Sequence, residues 1–173
     1  MLPRCIPLLT LATTLAACQA DGPSTDKGDA QTGWRSTSMA MQQAGVSLGF
    51  DGSASADANG IDASLLGTAQ CPDGGTVTLD AEGHVDPGSV VGSVDIRFED
   101  CAAEGVVIDG TLAYDASVTE TSVSASIVGD LSWSGDVEGE CDIDLEASVT
   151  TKGASASAHV GGSMCGWSYD ELF

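Results

Sequence analysis

The sequence predicts an all-β fold, an antiparallel meander of about eight strands that forms a soluble barrel or a sandwich. Three observations support this prediction. From Gly45 onward, apolar and polar residues alternate with a period of two, which is typical of strands with one buried face and one hydrated face. Turn-forming residues separate the alternating runs. After residue 45, no run of the chain shows a comparable helical period.

The alternation is clearest in four consecutive runs, 94–99, 106–118, 123–137 and 142–149. In each run, apolar residues occupy most of the alternate positions, and Asp, Glu, Ser or Thr occupy most of the positions between them. Runs of this kind, separated by short loops, predict hairpins joined in chain order. If the apolar side chains pointed outward, the same pattern would describe a transmembrane barrel, but the aromatic girdles typical of such barrels are missing.

The loops between these runs predict how the strands pair. Asn59-Gly60 favours a two-residue turn. With this turn, Ala56 pairs with Ala63. The other loops give these pairs: Val118 with Val123 and Tyr114 with Ile127 around 119–122, Val137 with Cys141 around 138–140, and Val149 with Ala154 around 150–153. Each register places apolar residues opposite apolar residues, as a sheet with one buried face requires.

Four cysteines follow the first 18 residues: Cys71, Cys101, Cys141 and Cys165. An even number of cysteines in an exported chain indicates disulfides, and zinc sites usually need closely spaced cysteine pairs, which are missing here. In an antiparallel hairpin the start of one strand lies beside the end of the next, so the favoured pairs are Cys71–Cys101 and Cys141–Cys165. The predicted register places Cys141 opposite Gly162, and a bulge at Gly161-Gly162 would correct the mismatch.

The first 17 residues have the layout of a secretory signal peptide. Arg4 is their single charge, an apolar run extends from Ile6 to Ala17, and the run ends in small residues. This run is shorter than the roughly 20 apolar residues that cross a bilayer as a helix. We therefore expect residues 1–17, including Cys5, to be removed on export.

The end of this run, Leu15-Ala16-Ala17-Cys18, resembles the lipobox of bacterial lipoproteins. The resemblance implies diacylglycerol on the sulfur of Cys18, cleavage before Cys18 and acylation of the new N-terminus. Two or more acyl chains give stable membrane attachment, whereas one chain gives only marginal binding. Gln19 follows, rather than Asp, and by the same resemblance this implies the outer membrane, facing the periplasm or the cell surface. The rest of the chain resembles β-rich, disulfide-bearing bacterial lipoproteins for which no activity can be carried over.

Three segments follow from these observations: the signal peptide at 1–17, a lipidated cysteine with a flexible linker at 18–44, and a β domain with two disulfides at 45–173. Within the linker, "STSMAMQQAG" is compatible with a short helical turn capped by Ser36 or Ser38. The chain carries 26 acidic and 5 basic residues, with a net charge of −21. Such a surface repels nucleic acid and anionic lipid headgroups, and we expect no nucleic-acid partner.

The candidate sites for a cation are weak. Asp57, Asn59 and Asp62 supply oxygens at the spacing of a calcium loop, but the twelve-residue EF-hand pattern is missing, so a hairpin turn explains these residues better. A second acidic group, 142–146, could collect divalent ions loosely, but a solvated strand face explains it better. We predict no metal site and no cofactor.

The candidates for chemistry are His84, between two strands, and His159, on the polar side of the last strand. Either could act as a general base, but no nucleophile motif accompanies them, and we predict no catalytic residue. Trp133 with Tyr114 could line the mouth of a barrel that holds a small apolar ligand. The sequence therefore predicts a lipid-anchored envelope lipoprotein with a non-catalytic acidic β domain in a structural or interaction role. A lipocalin-like carrier of a small hydrophobic ligand is the alternative.

Overall fold

A computed structural model describes residues 25–47, 49–153 and 155–173. The predicted signal peptide and the predicted lipidation site Cys18 lie outside the described residues. The elements in chain order are α1 (Lys27–Ser47), β1 (Gly49–Ala56), β2 (Ile61–Gln70), β3 (Gly74–Val85), β4 (Ser89–Ala103), β5 (Val106–Thr119), β6 (Ser122–Gly135), β7 (Gly139–Lys152), β8 (Ser155–Met164), β9 (Trp167–Ser168) and α2 (Tyr169–Leu172).

The strands form one antiparallel sheet in which the order across the sheet is the order along the chain, from β1 to β9. The predicted all-β meander is confirmed. The sheet is not closed into a barrel, and its nine strands belong to a single sheet rather than to the two layers of a sandwich. We call the end of the sheet that carries the β1–β2, β3–β4, β5–β6 and β7–β8 turns the distal end.

The observed register agrees with the predicted one at the β5–β6 hairpin, where Val118 pairs with Val123. At the first hairpin the prediction was wrong by two residues, because Ala54, rather than Ala56, pairs with Ala63. The Asp57 side chain causes the difference. Its Oδ1 accepts hydrogen bonds from the backbone N–H groups of Asn59 (2.6 Å) and Gly60 (3.2 Å), and this closes a four-residue loop instead of a two-residue turn.

Two further registers were also wrong. Cys141 pairs with Leu131 rather than Val137, and Val149 pairs with Ala158 rather than Ala154. Each of the three register errors is an even number of residues. An even shift leaves every side chain on its predicted face, because the side-chain period of a strand is two.

Both disulfides of the structure join the pairs that the meander predicts. Cys71 is bonded to Cys101, with the Cα atoms 5.4 Å apart, and Cys141 to Cys165, with the Cα atoms 4.1 Å apart. The bulge predicted at 161–162 is absent, since β7 and β8 pair without interruption from Ile143–Met164 to Lys152–Ser155. The corrected register brings the second pair of cysteines together without it.

The prediction of a flexible linker at 18–44 was wrong from Lys27 onward, because the long helix α1 spans Lys27–Ser47 and also takes the first three residues assigned to the β domain. Asp26 starts it, because its Oδ1 accepts a hydrogen bond of 2.8 Å from the Gly28 N–H. The helix packs against the apolar face of the sheet through small residues. Ala30, Thr37 and Ala40 are fully buried, and the Trp133 indole N–H donates to Thr37 Oγ1 over 3.2 Å.

The core lies between α1 and the half of the apolar face opposite the distal end. Its largest side chains, each at most 3% exposed, are Phe98, Ile108, Leu112, Trp133 and Ile143. Leu172 of α2 is buried in the same core. Within the described ranges, the distal half of the same face has no such cover, and its valines are 40–45% exposed.

Candidate functional site

The strand registers arrange the distal end into cross-strand rows, with one residue from each strand. On the apolar face, one row consists almost entirely of Ala and Gly, and we call it the small-residue row. Its members are Ala54, Ala63, Gly83, Gly92, Ala116, Ala125, Ala147 and Val160. On the opposite, polar face, two rows flank this row. We call them the histidine row and the serine row.

The histidine row contains both histidines of the chain. Its members are Ser55, Asp62, His84, Val91, Ser117, Ser124, Ser148 and His159. The serine row lies one step further from the turns and consists of Ser53, Ser64, Glu82, Ser93, Asp115, Ser126 and Glu146. All fifteen of these residues, from strands β1 to β8, line one open cavity of about 870 Å³.

Fourteen of these fifteen residues carry a hydroxyl, carboxyl or imidazole group, and six Ala and Gly residues of the small-residue row line the cavity beside them. Eight of the fifteen residues in its two rows are serines, and four are acids: Asp62, Glu82, Asp115 and Glu146. Serine hydroxyls both donate and accept hydrogen bonds, whereas carboxylates at neutral pH only accept them. Such a lining suits a ligand that is rich in hydrogen-bond donors.

His84 pairs with the residue opposite it on β2. Its Nδ1 lies 2.7 Å from Asp62 Oδ1, and both side chains are partly exposed. This hydrogen bond raises the pKa of His84 above its ordinary value, and the charges of Asp62, Asp86 and Asp57 act in the same direction. Protonated imidazole is thus favoured at this position, because the carboxylate accepts a hydrogen bond from the charged ring.

Two further aspartates hold the hairpin turns beside this pair. The backbone N–H of Asn59 lowers the pKa of Asp57, and the backbone N–H of Gly88 lowers the pKa of Asp86. The Asp57 carboxylate thus accepts hydrogen bonds from the backbone of its own turn, and the Asp62 carboxylate is hydrogen-bonded to His84. The hairpin-turn interpretation of Asp57, Asn59 and Asp62 fits this geometry, and no group of three or more metal-ligating side chains occurs within the described ranges.

His159 faces a different carboxylate at the other side of the cavity. Its Nε2 lies 3.5 Å from Glu146 Oε1, and both side chains are about two-thirds exposed. The other acids of the 142–146 group have separate neighbours, since Asp142 is opposite Asp130. The hydrogen bond between these two carboxyl groups raises the pKa of Asp130. The carboxylates of the 142–146 group are thus spread along β7 and do not converge on one point.

Trp133 and Tyr114 do not line the mouth of a barrel, because the sheet is open and α1 packs on both. Trp133 is 3% exposed, and the Tyr114 hydroxyl lies 3.6 Å from the sulfur of Met41 on α1. Burial raises the pKa of Tyr114. Core packing is the role the structure gives to these two side chains.

The sequence identified His84 and His159 singly, but it did not identify the cavity that contains both. The eight serines of the lining are ordinary residues for a hydrated strand face, so none of them stands out. The available signal was the alternation of Ser, Asp and Glu on every strand. These residues form a cavity only when the strand registers align them into cross-strand rows.

Comparison of the chain with protein-family models, with curated proteins and with solved structures finds no match. Within the described residues, no helix has the length and apolar character that a bilayer crossing needs. The function must therefore be argued from the site and the sequence.

Proposed function

We propose that this protein is a lipoprotein of the bacterial outer membrane, anchored through acyl chains on Cys18, and that its acidic β domain is a non-catalytic binding module. The Leu15–Cys18 motif at the end of a short apolar run supports the anchor. The two disulfides are compatible with an extracytoplasmic compartment.

The observation that carries the binding role is the cavity at the distal end. Its lining is built from eight strands, so its side chains stand on a hydrogen-bonded sheet rather than on loops. We infer that it binds a polar ligand with several hydrogen-bond donors. The exposure of both histidine–carboxylate pairs favours binding over acid–base catalysis, because catalytic pKa tuning relies on burial.

The cavity also bears on the alternative of a small hydrophobic ligand. Carriers of such ligands enclose them in mostly apolar cavities. Here the cavity is open rather than enclosed, fourteen of the described residues that line it carry polar side chains, and α1 covers the core half of the apolar face. We therefore propose a polar ligand in preference to a small hydrophobic one.

The anchor is tested by labelling cells that express the full-length chain with radioactive palmitate. The wild-type chain is expected to incorporate the label and to fractionate with the outer membrane, whereas Cys18→Ser incorporates none. Cys5→Ser is the matched control, because Cys5 lies within the predicted signal peptide and its loss leaves labelling unchanged. Equal labelling of wild type and Cys18→Ser would rule out acylation at this residue.

The cavity is tested by native mass spectrometry of the protein purified from its own envelope, which reports a copurifying ligand together with acylation. Ser126→Trp places an indole inside the cavity, where it takes the space of a bound ligand, and is expected to abolish the ligand peak. Ser132→Trp, on the same face of β6 but outside the cavity lining, is expected to retain it. A ligand that survives Ser126→Trp, or a wild-type protein that carries none, contradicts the proposed binding role.

A further inference from the structure

The distal half of the apolar face carries a row of large side chains that stay partly exposed among the described residues. We call it the valine row. It runs across β2 to β7 through Ile61, Val85, Val90, Val118, Val123 and Val149. Each of the six is between 40% and 49% exposed. Ala56 and Ala158 extend the row to β1 and β8.

Charge is segregated from this face. The valine row and the neighbouring small-residue row contain no charged residue, although the chain has 26 acids. The acids of β5, β6 and β7 all occupy positions of the polar face, as Asp115 and Glu146 do. A contiguous, uncharged apolar patch on a strongly acidic protein is a candidate interaction surface.

We propose that this patch is a homodimer interface, in which the distal apolar faces of two copies pack face to face. The two rows make the patch complementary to itself. A two-fold axis places the valine row of each copy over the small-residue row of the other. The large side chains then fill the space above Ala and Gly. Interdigitation of this kind is how two sheets pack at a separation of about 10 Å.

The size of the patch fits a weak, transient interface. Eight strands about 4.8 Å apart and two rows about 6.7 Å apart give a patch of roughly 38 by 13 Å. Covering it on both copies removes about 1,000 Å² of surface from water, which is below the roughly 1,200–2,000 Å² of stable complexes and within the range of weak, transient ones. The expected dimer is therefore weak.

A second copy fits the patch better than a lipid surface does. Protein surfaces that rest on membranes carry Trp, Tyr, Lys or Arg at the interface, and both rows consist of Ala, Gly, Val and Ile alone. Two copies with a net charge of −21 each repel one another, and salt screens that repulsion. Association through an uncharged face is therefore expected to strengthen, rather than weaken, as salt is added.

The test is sedimentation velocity of the full-length chain in mild detergent, from about 5 to 400 µM and in 0.05 and 0.5 M NaCl. Wild type is expected to shift from monomer to dimer with concentration, and the Kd is expected to fall several-fold at the higher salt. Val123→Glu places a carboxylate in the interface and is expected to remain monomeric. Val128→Glu is the matched control on the opposite face of β6, where Val128 is 49% exposed, and is expected to dimerise like wild type.

Circular dichroism establishes that each variant keeps its sheet. If Val123→Glu loses it, Ala116→Glu, at an exposed position of the small-residue row, takes its place. A wild type that is monomeric throughout overturns the proposal, as does equal loss of dimer in Val123→Glu and Val128→Glu. Flotation of a monomeric wild type with phosphatidylcholine vesicles, lost in Val123→Glu, would assign the patch to a lipid surface and overturn the dimer.

Discussion

Replacing Gly33 by alanine tests whether α1 is packed on Trp133. A Cβ atom built at Gly33 would overlap the six-membered ring of the Trp133 indole. The ring is 3% exposed and its N–H donates to Thr37 on the same helix, so neither partner can move without disturbing the core. An alanine at this position must push the helix away from the sheet.

Two opposing effects set the size of the change. In an exposed helix interior, Gly→Ala increases the free energy of unfolding by about 1 kcal/mol through helix propensity. Extra volume in a closely packed core lowers the free energy of unfolding by about 1–3 kcal/mol. Because the added methyl group meets a rigid aromatic ring, we expect Gly33→Ala to fall in the upper part of that range. The expected net loss for Gly33→Ala is about 1–2 kcal/mol, equivalent to a fall in Tm of about 3–6 °C for a chain of this size.

The assay is urea-induced unfolding followed by tryptophan fluorescence, with both disulfides intact. Gly28→Ala is the control. It lies in the exposed first turn of the same helix, where the nearest neighbour of an added Cβ is the Asp26 carboxylate at 3.3 Å. We expect it to change stability by less than about 1 kcal/mol. If Gly33→Ala stabilised the protein, the packing of α1 on Trp133 described above would be refuted.

Two other perturbations give measurable outcomes. Because the folded-state pKa of His84 is raised, its contribution to stability is present in full below the unfolded pKa and is lost as pH rises through the folded one. Asp62→Asn should therefore lower the His84 pKa in an NMR titration and flatten this part of the pH–stability profile, and an unchanged titration would argue against the pair. Leu112→Ala should lower the free energy of unfolding in urea by about 2–5 kcal/mol. Leu66→Ala, at a 52% exposed position, should change it by about 0.5 kcal/mol or less, and equal losses would contradict the placement of the core.

The faces of the strands could be predicted from the sequence, whereas their registers could not. Which face a residue occupies depends on burial, and the alternation of apolar and polar residue types indicates which positions are buried. Register depends on the conformation of each turn, and turns are decided by individual hydrogen bonds. At the first hairpin one side-chain oxygen, Asp57 Oδ1, lengthens the loop and moves the pairing of Ala54 by two residues.

The helix and the cavity were missed for different reasons. The buried face of α1 consists of small residues such as Ala30 and Thr37, so the sequence shows no apolar stripe of the usual kind. The helix is held by contact with Trp133, about 100 positions further along the chain. The cavity requires seven correct registers at once, and a single error between β3 and β8 separates His84 from the row that also contains His159.

The sequential order of the sheet has a consequence for the order in which a chain that emerges N-terminus first can fold. Each strand pairs with the one before it, and the two disulfides span only 30 and 24 positions. A polypeptide that emerges N-terminus first can therefore complete each hairpin, and oxidise each pair of thiols, before the next segment arrives. Helix α1 is the exception, because it emerges before the sheet but can dock only after β6 has delivered Trp133. Among the described elements, the first to emerge is therefore one of the last to be packed.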